Sequence, residues 1–175
     1  MAQLDHIISQ RVARGSATRW NFHGRTVNSV YEMKEDLIAC FSAIMNGSGW
    51  DTSSISEASG LKRWLEDSTF LFFLDLFHQI FPHIEFLFSV FQSRRTSISL
   101  VADAVRACIE AIQTLRDDID EISEQYQSDA RSFSIERNRA AAKEACDVIS
   151  VQLARSFLKY LICRSIQVDQ PFTLR

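Results

Sequence analysis

The chain has 175 residues, of which 46% are hydrophobic and 23% charged, with a net charge of −3. These values fit one globular domain with a core of its own, and they exclude a disordered chain or one drawn to nucleic acid by global charge. Five glycines and two prolines are too few for a turn-rich all-β fold, so long helices are expected.

Helical periodicity predicts a first helix from just after Trp20 to about Met45. Val27, Val30, Tyr31, Leu37, Ile38 and Phe41 recur on one side, and Glu32, Lys34, Glu35 and Asp36 on the other. The run NGSG at 46–49 ends it. A second helix is expected from about Ser54 to Glu66, with Ile55, Ala58, Leu61 and Leu65 as its apolar stripe. Asp51, Thr52, Ser53 and Ser54 all offer N-caps, and Ser54 with Glu57 fits a capping box. Gly60 either weakens this helix or serves close packing.

The third helix, about Ser68 to Gln92, is rich in phenylalanine. Phe70, Phe73, Phe77, Phe81, Ile84, Phe88 and Phe91 repeat at steps of three and four, which predicts one continuous core face. Leu71, Leu74, Leu76, Ile80, Phe86 and Leu87 widen that face, and Pro82 is expected to kink the helix. A fourth helix runs from about Ser97 to Tyr126 and a fifth from about Arg139 to Ile166. The sum is an all-α, irregular helical bundle of about five helices. Residues 1–21 form a basic N-terminal segment, 22–166 the helical domain and 167–175 a frayed tail.

Residues 69–91 are long enough to span a bilayer but contain Asp75, His78, Gln79, Pro82, His83 and Glu85. Each acidic group in lipid would cost roughly 2.5–3.5 kcal/mol, so a core helix is expected and a membrane role is not. Cys40, Cys108, Cys146 and Cys163 lack CxxC spacing, which argues against a zinc site or a disulfide scaffold. His78 and His83 are five apart and fall on different helical faces, so no metal site is expected. No GxSxG or phosphate-loop motif is present. The residues offer no catalytic constellation, cofactor site or small-molecule substrate site.

Charge is unevenly spread. Six carboxylates and no Lys or Arg lie between Asp117 and Asp129, the pattern of a solvated face. In RGSATRWNFHGR, residues 14–25, Arg14, Arg19 and Arg25 flank Trp20 with no acidic residue among them. Arginines neutralise phosphates, and an exposed tryptophan stacks on unpaired bases. The competing reading has Trp20 packed on the bundle and the arginines merely solvated, and composition leaves both open.

Three blocks carry a resemblance. RGSATRWNFHGRTVNSVYEMKEDLIACF resembles the "TRW" segment of hAT-family transposases and of the vertebrate proteins derived from them. SEASGLKRWLEDSTFLFFLDLFHQIFPHIEFLF and AAKEACDVISVQLARSF are similar to the two segments that follow in that group, including its MYM-type and TTF-type zinc-finger relatives. The likeness covers roughly residues 10–158, with the blocks in matching order. It implies the helical insertion domain that interrupts the RNase H-like core of these transposases. It also implies that the catalytic acids lie outside this chain, so the expectation is a non-catalytic fragment. By the same resemblance Trp20 would stack on a flipped base at a DNA hairpin, with Arg19 beside it as a phosphate contact. Arg14 and Arg25 are the further nucleic-acid candidates. Hairpin or single-stranded DNA, a second copy of the chain and a nuclear location, otherwise a cytoplasmic one, follow as expectations. A helical interaction or dimerisation module without a nucleic-acid role is the alternative.

Overall fold

The computed structural model describes residues 20–93, 96–126 and 134–168. Every regular element among them is helical: α1 Trp20–Glu32, α2 Lys34–Asn46, α3 Thr52–Leu65, α4 Ser68–Gln92, α5 Ile98–Asp117, α6 Ile119–Glu124 and α7 Ile135–Val168. The all-α class is therefore as the sequence predicts. Arg14 and Arg19 lie outside the described residues, as does the tail from residue 169.

Seven helices replace the five expected because two of those five are bent. Met33 (φ −102°, ψ 16°) separates α1 from α2, and Asp118 (φ −82°, ψ −4°) separates α5 from α6. Neither bend uses glycine or proline. Hydrogen bonds continue through both: Met33 N donates to Ser29 O at 3.0 Å and Asp118 N to Thr114 O at 3.0 Å. The bends follow from packing, since α1 lies on α4 whereas α2 pairs with α3. Met33 is buried at that corner beside Leu37 and Leu65. At the second bend Ile119 and Ile122 turn inward while α6 packs on α7.

Short acidic and hydroxyl caps start α3, α4 and α5. Asp51 accepts from Ser54 N at 2.8 Å, Asp67 from Phe70 N at 2.8 Å and Ser97 from Leu100 N at 3.2 Å. Each satisfies an amide that the helix leaves unpaired. The expected Ser54–Glu57 box does not form. Asp51 takes the cap, and Ser54 Oγ donates to Asp51 Oδ2 at 2.9 Å instead.

Around α4 are α1, α5 and α7, with α3 near its start. It is the described helix with the length and composition to cross a membrane. Its deepest row is Phe72, Leu76, Ile80, Ile84 and Leu87, which meets Val101, Cys108 and Ile112 of α5 and Cys146 and Leu153 of α7. The Phe stripe expected to form the core, Phe73, Phe77, Phe81, Phe88 and Phe91, is only half-buried around that row. Phe86 is 63% exposed and widens no core face. The helix is apolar nearly all round, so periodicity alone cannot choose its innermost line. α4 continues through Pro82, whose ring is exposed.

Two glycines show how tightly the helices approach. A Cβ on buried Gly24 would lie 3.4 Å from Phe81 Cβ and would collide with the Glu85 carboxylate, so α1 sits close on α4 there. Gly60 is different: it is exposed, and a Cβ there would meet nothing within 4 Å. Of the two readings of Gly60, the weakened helix holds. Gly60→Ala should therefore raise stability by about 0.5–1 kcal/mol. An upward shift of the urea midpoint at constant slope checks this, and a downward shift would reveal a close contact.

Candidate functional site

Trp20 is the first residue of α1. Arg25 is exposed one turn and a half further on. It borders a groove of about 260 Å³ between α1 and α4, together with Gly24, Asn28, Glu32, His78 and Glu85. Two carboxylates, Glu32 and Glu85, thus share the groove with Arg25. Charge is graded along this edge. The first turn of α1 carries no acidic residue, whereas Glu32, Glu35 and Asp36 cluster at its far end and the start of α2. The Glu85 carboxylate of α4 nevertheless lies against Gly24, just past that first turn.

The structure also gathers a polar cluster that sequence reasoning missed. Asp75 projects from α4 and accepts from the Tyr126 hydroxyl at 3.1 Å and from Gln79 Nε2 at 3.3 Å. The Asp75 charge also acts on the Tyr31 phenol. Tyr31 stacks on His78 with ring centroids 3.9 Å apart and planes 11° from parallel. The His78 Nε2 is 3.0 Å from Asn28 Oδ1, an oxygen that can only accept, so this nitrogen carries the proton. A cleft of about 300 Å³ opens beside the cluster, lined by Tyr31, Tyr126, Glu32, Lys34, Glu35 and Asp36.

Asp75 ties α4 to the turn after α6, while Tyr31 and Asn28 join α1 to α4 through His78. Burial, then the Asp75 charge, pushes the Tyr126 phenol well above its ordinary value. Asp75 first, and burial second, also raises Tyr31. Both phenols stay protonated and keep donating. They are poor acids. The buried cysteines are held as thiols, Cys108 pushed up to about 11 by burial, so they do not supply a thiolate either. Among the described residues no three His, Cys, Asp or Glu side chains group as a metal site requires.

A third feature is apolar. Val30, Leu37, Phe41, Leu61, Trp64, Leu65 and Phe70 line a groove of about 250 Å³ where α1, α2 and α3 meet the start of α4. Trp64 is 64% exposed on its rim and Leu61 52%. Of the expected stripe on this helix, Ala58 and Leu65 are buried and Ile55 half-buried, while Leu61 faces outward. No family model matches the chain, and comparison with curated proteins and with solved structures yields no match.

Proposed function

We propose that this is a non-catalytic helical domain related to the insertion domain of hAT-like transposases, with a nucleic-acid contact retained at the N-terminal end of α1. The observation that carries the reading is that RGSATRW leads directly into a 13-residue helix opened by Trp20. The free amides of a helix start favour a phosphate. No carboxylate occupies that first turn, and Arg25 is exposed beside it. Arg14 and Arg19 would add phosphate contacts, and Trp20 would stack on an unpaired base of hairpin or single-stranded DNA. Strand cleavage would have to be supplied from outside the chain, and a nuclear location follows from the same kinship.

The test is anisotropy of a labelled DNA hairpin with one unpaired base at its tip, titrated at two salt concentrations. Binding should weaken steeply with salt. Trp20→Ala should weaken it about five- to a hundredfold, the loss of one stacked base, without unfolding the chain. Arg25→Glu should weaken it as well. A folded wild-type chain that binds no DNA overturns the reading.

One observation favours a second reading, a helical interaction module without a nucleic-acid role. Leu61 and Trp64 stand exposed beside an almost wholly apolar groove, the kind of surface that marks a protein contact.

A further inference from the structure

α7 is apolar on two opposite faces. Successive residues turn by about 100° around a helix, so Ala142, Cys146, Leu153 and Phe157 point one way. Val148, Val151 and Leu158 point the other. The first set packs into the main core with α4, α5 and α6 as neighbours. The second set is 52%, 49% and 58% exposed. A helix apolar on both faces is characteristic of one covered on both.

The outer line has more order than a scatter of apolar residues. Ala141, Glu144, Val148, Val151, Arg155 and Leu158 follow alternate steps of three and four, the spacing of a coiled-coil seam. All six are exposed. Glu144 and Arg155 form no ion pair among the described residues, whereas Asp147, beside the seam, is tied to Arg116 at 2.8 Å.

We propose that this face of α7 pairs with the same face of a second copy, antiparallel across a twofold axis between Val148 and Val151. In that register Val148 meets the partner's Val151 and Ala141 meets the partner's Leu158. Arg155 meets the partner's Glu144, and the symmetry makes each contact twice. Charge decides the orientation. A parallel pair in register would set Arg155 against Arg155, whereas the antiparallel pair places every exposed charge of the seam opposite its counter-charge. Ala140, Ala145 and Ala154 flank the seam and let the two helices approach closely. The paired length, residues 141–158, is about 27 Å. This deepens the interaction-module reading by naming the face and the partner, and it is independent of the nucleic-acid one.

The test is sedimentation equilibrium of the full chain over a concentration series, with circular dichroism confirming that each variant is folded. The wild type should be a dimer in equilibrium with monomer. Arg155→Glu and Glu144→Arg should each weaken the dimer at least about tenfold by facing like charges. The double exchange, E144R with R155E, should restore it. A dimer unmoved by the single changes overturns the seam while leaving an interaction module that uses another face. A chain monomeric at every concentration overturns the seam and self-association together.

Discussion

Phe72→Ala should cost about 3–5 kcal/mol, more than truncation at any phenylalanine on the stripe that periodicity singles out. Its side chain is fully buried. The ring meets Phe73 edge-on at 5.1 Å and Tyr126 edge-on at 5.9 Å. Truncation therefore removes transfer energy, leaves a cavity and strips two aromatic contacts. Phe77, half-buried and tilted against Phe81 at 5.9 Å, should lose less, because water already reaches part of it. Phe86, 63% exposed, should change stability by no more than about 0.5 kcal/mol on truncation. Urea unfolding of the three variants checks the order. Equal losses at Phe72 and Phe86 would mean that α4 is rotated from the orientation described.

The fold was legible where local chemistry decides it. Helix α4 runs from Ser68 to Gln92, as its pattern predicts, because a capping carboxylate precedes a long apolar run. Two things were not legible, and both depend on neighbours distant in sequence. Met33 and Asp118 carry no intrinsic signal for a bend, and they bend because adjoining segments pack on different partners. The inner row of α4 is Phe72, Leu76, Ile80, Ile84 and Leu87, of which the predicted stripe holds only Ile84 and its widened face Leu76, Ile80 and Leu87, since both lines satisfy a helical period. Only the positions of α5 and α7 select between them.

The polar cluster at Asp75 shows the same limit. Tyr126 lies 51 residues away along the chain, and no short motif links the two. A signal was nonetheless present. A carboxylate inside an apolar helix must find donors if it is not to face solvent, and tyrosine hydroxyls on amphipathic helices can supply them. Read only as an obstacle to membrane insertion, Asp75 gave no hint of its partners. Arg25 was legible as an exposed basic residue. That Glu32 and Glu85 would share its groove was not, because the first comes from the far turn of α1 and the second from α4.

Asp75→Ala should cost about 2–4 kcal/mol, since it leaves the Tyr126 hydroxyl and the Gln79 amide without their acceptor in a half-buried site. Asp75→Asn should cost less, because its amide oxygen can still accept one of these bonds. A titration distinguishes this role from simple packing. Tyr31 is raised chiefly by the Asp75 charge, whereas Tyr126 is raised first by burial and second by Asp75. In Asp75→Ala, Tyr31 should therefore fall back toward the ordinary phenol value of about 10, while Tyr126 should stay elevated. Both phenols are raised in the folded state, so their stabilising contribution is fully present below the unfolded value. It is lost as pH rises through the folded values. Wild-type stability should thus decline above about pH 10, and the decline should be shallower in Tyr126→Phe. Ultraviolet difference titration of tyrosinate and urea unfolding across the alkaline range read these effects. A Tyr31 titration unaltered by loss of Asp75 would show that the carboxylate does not hold the phenol.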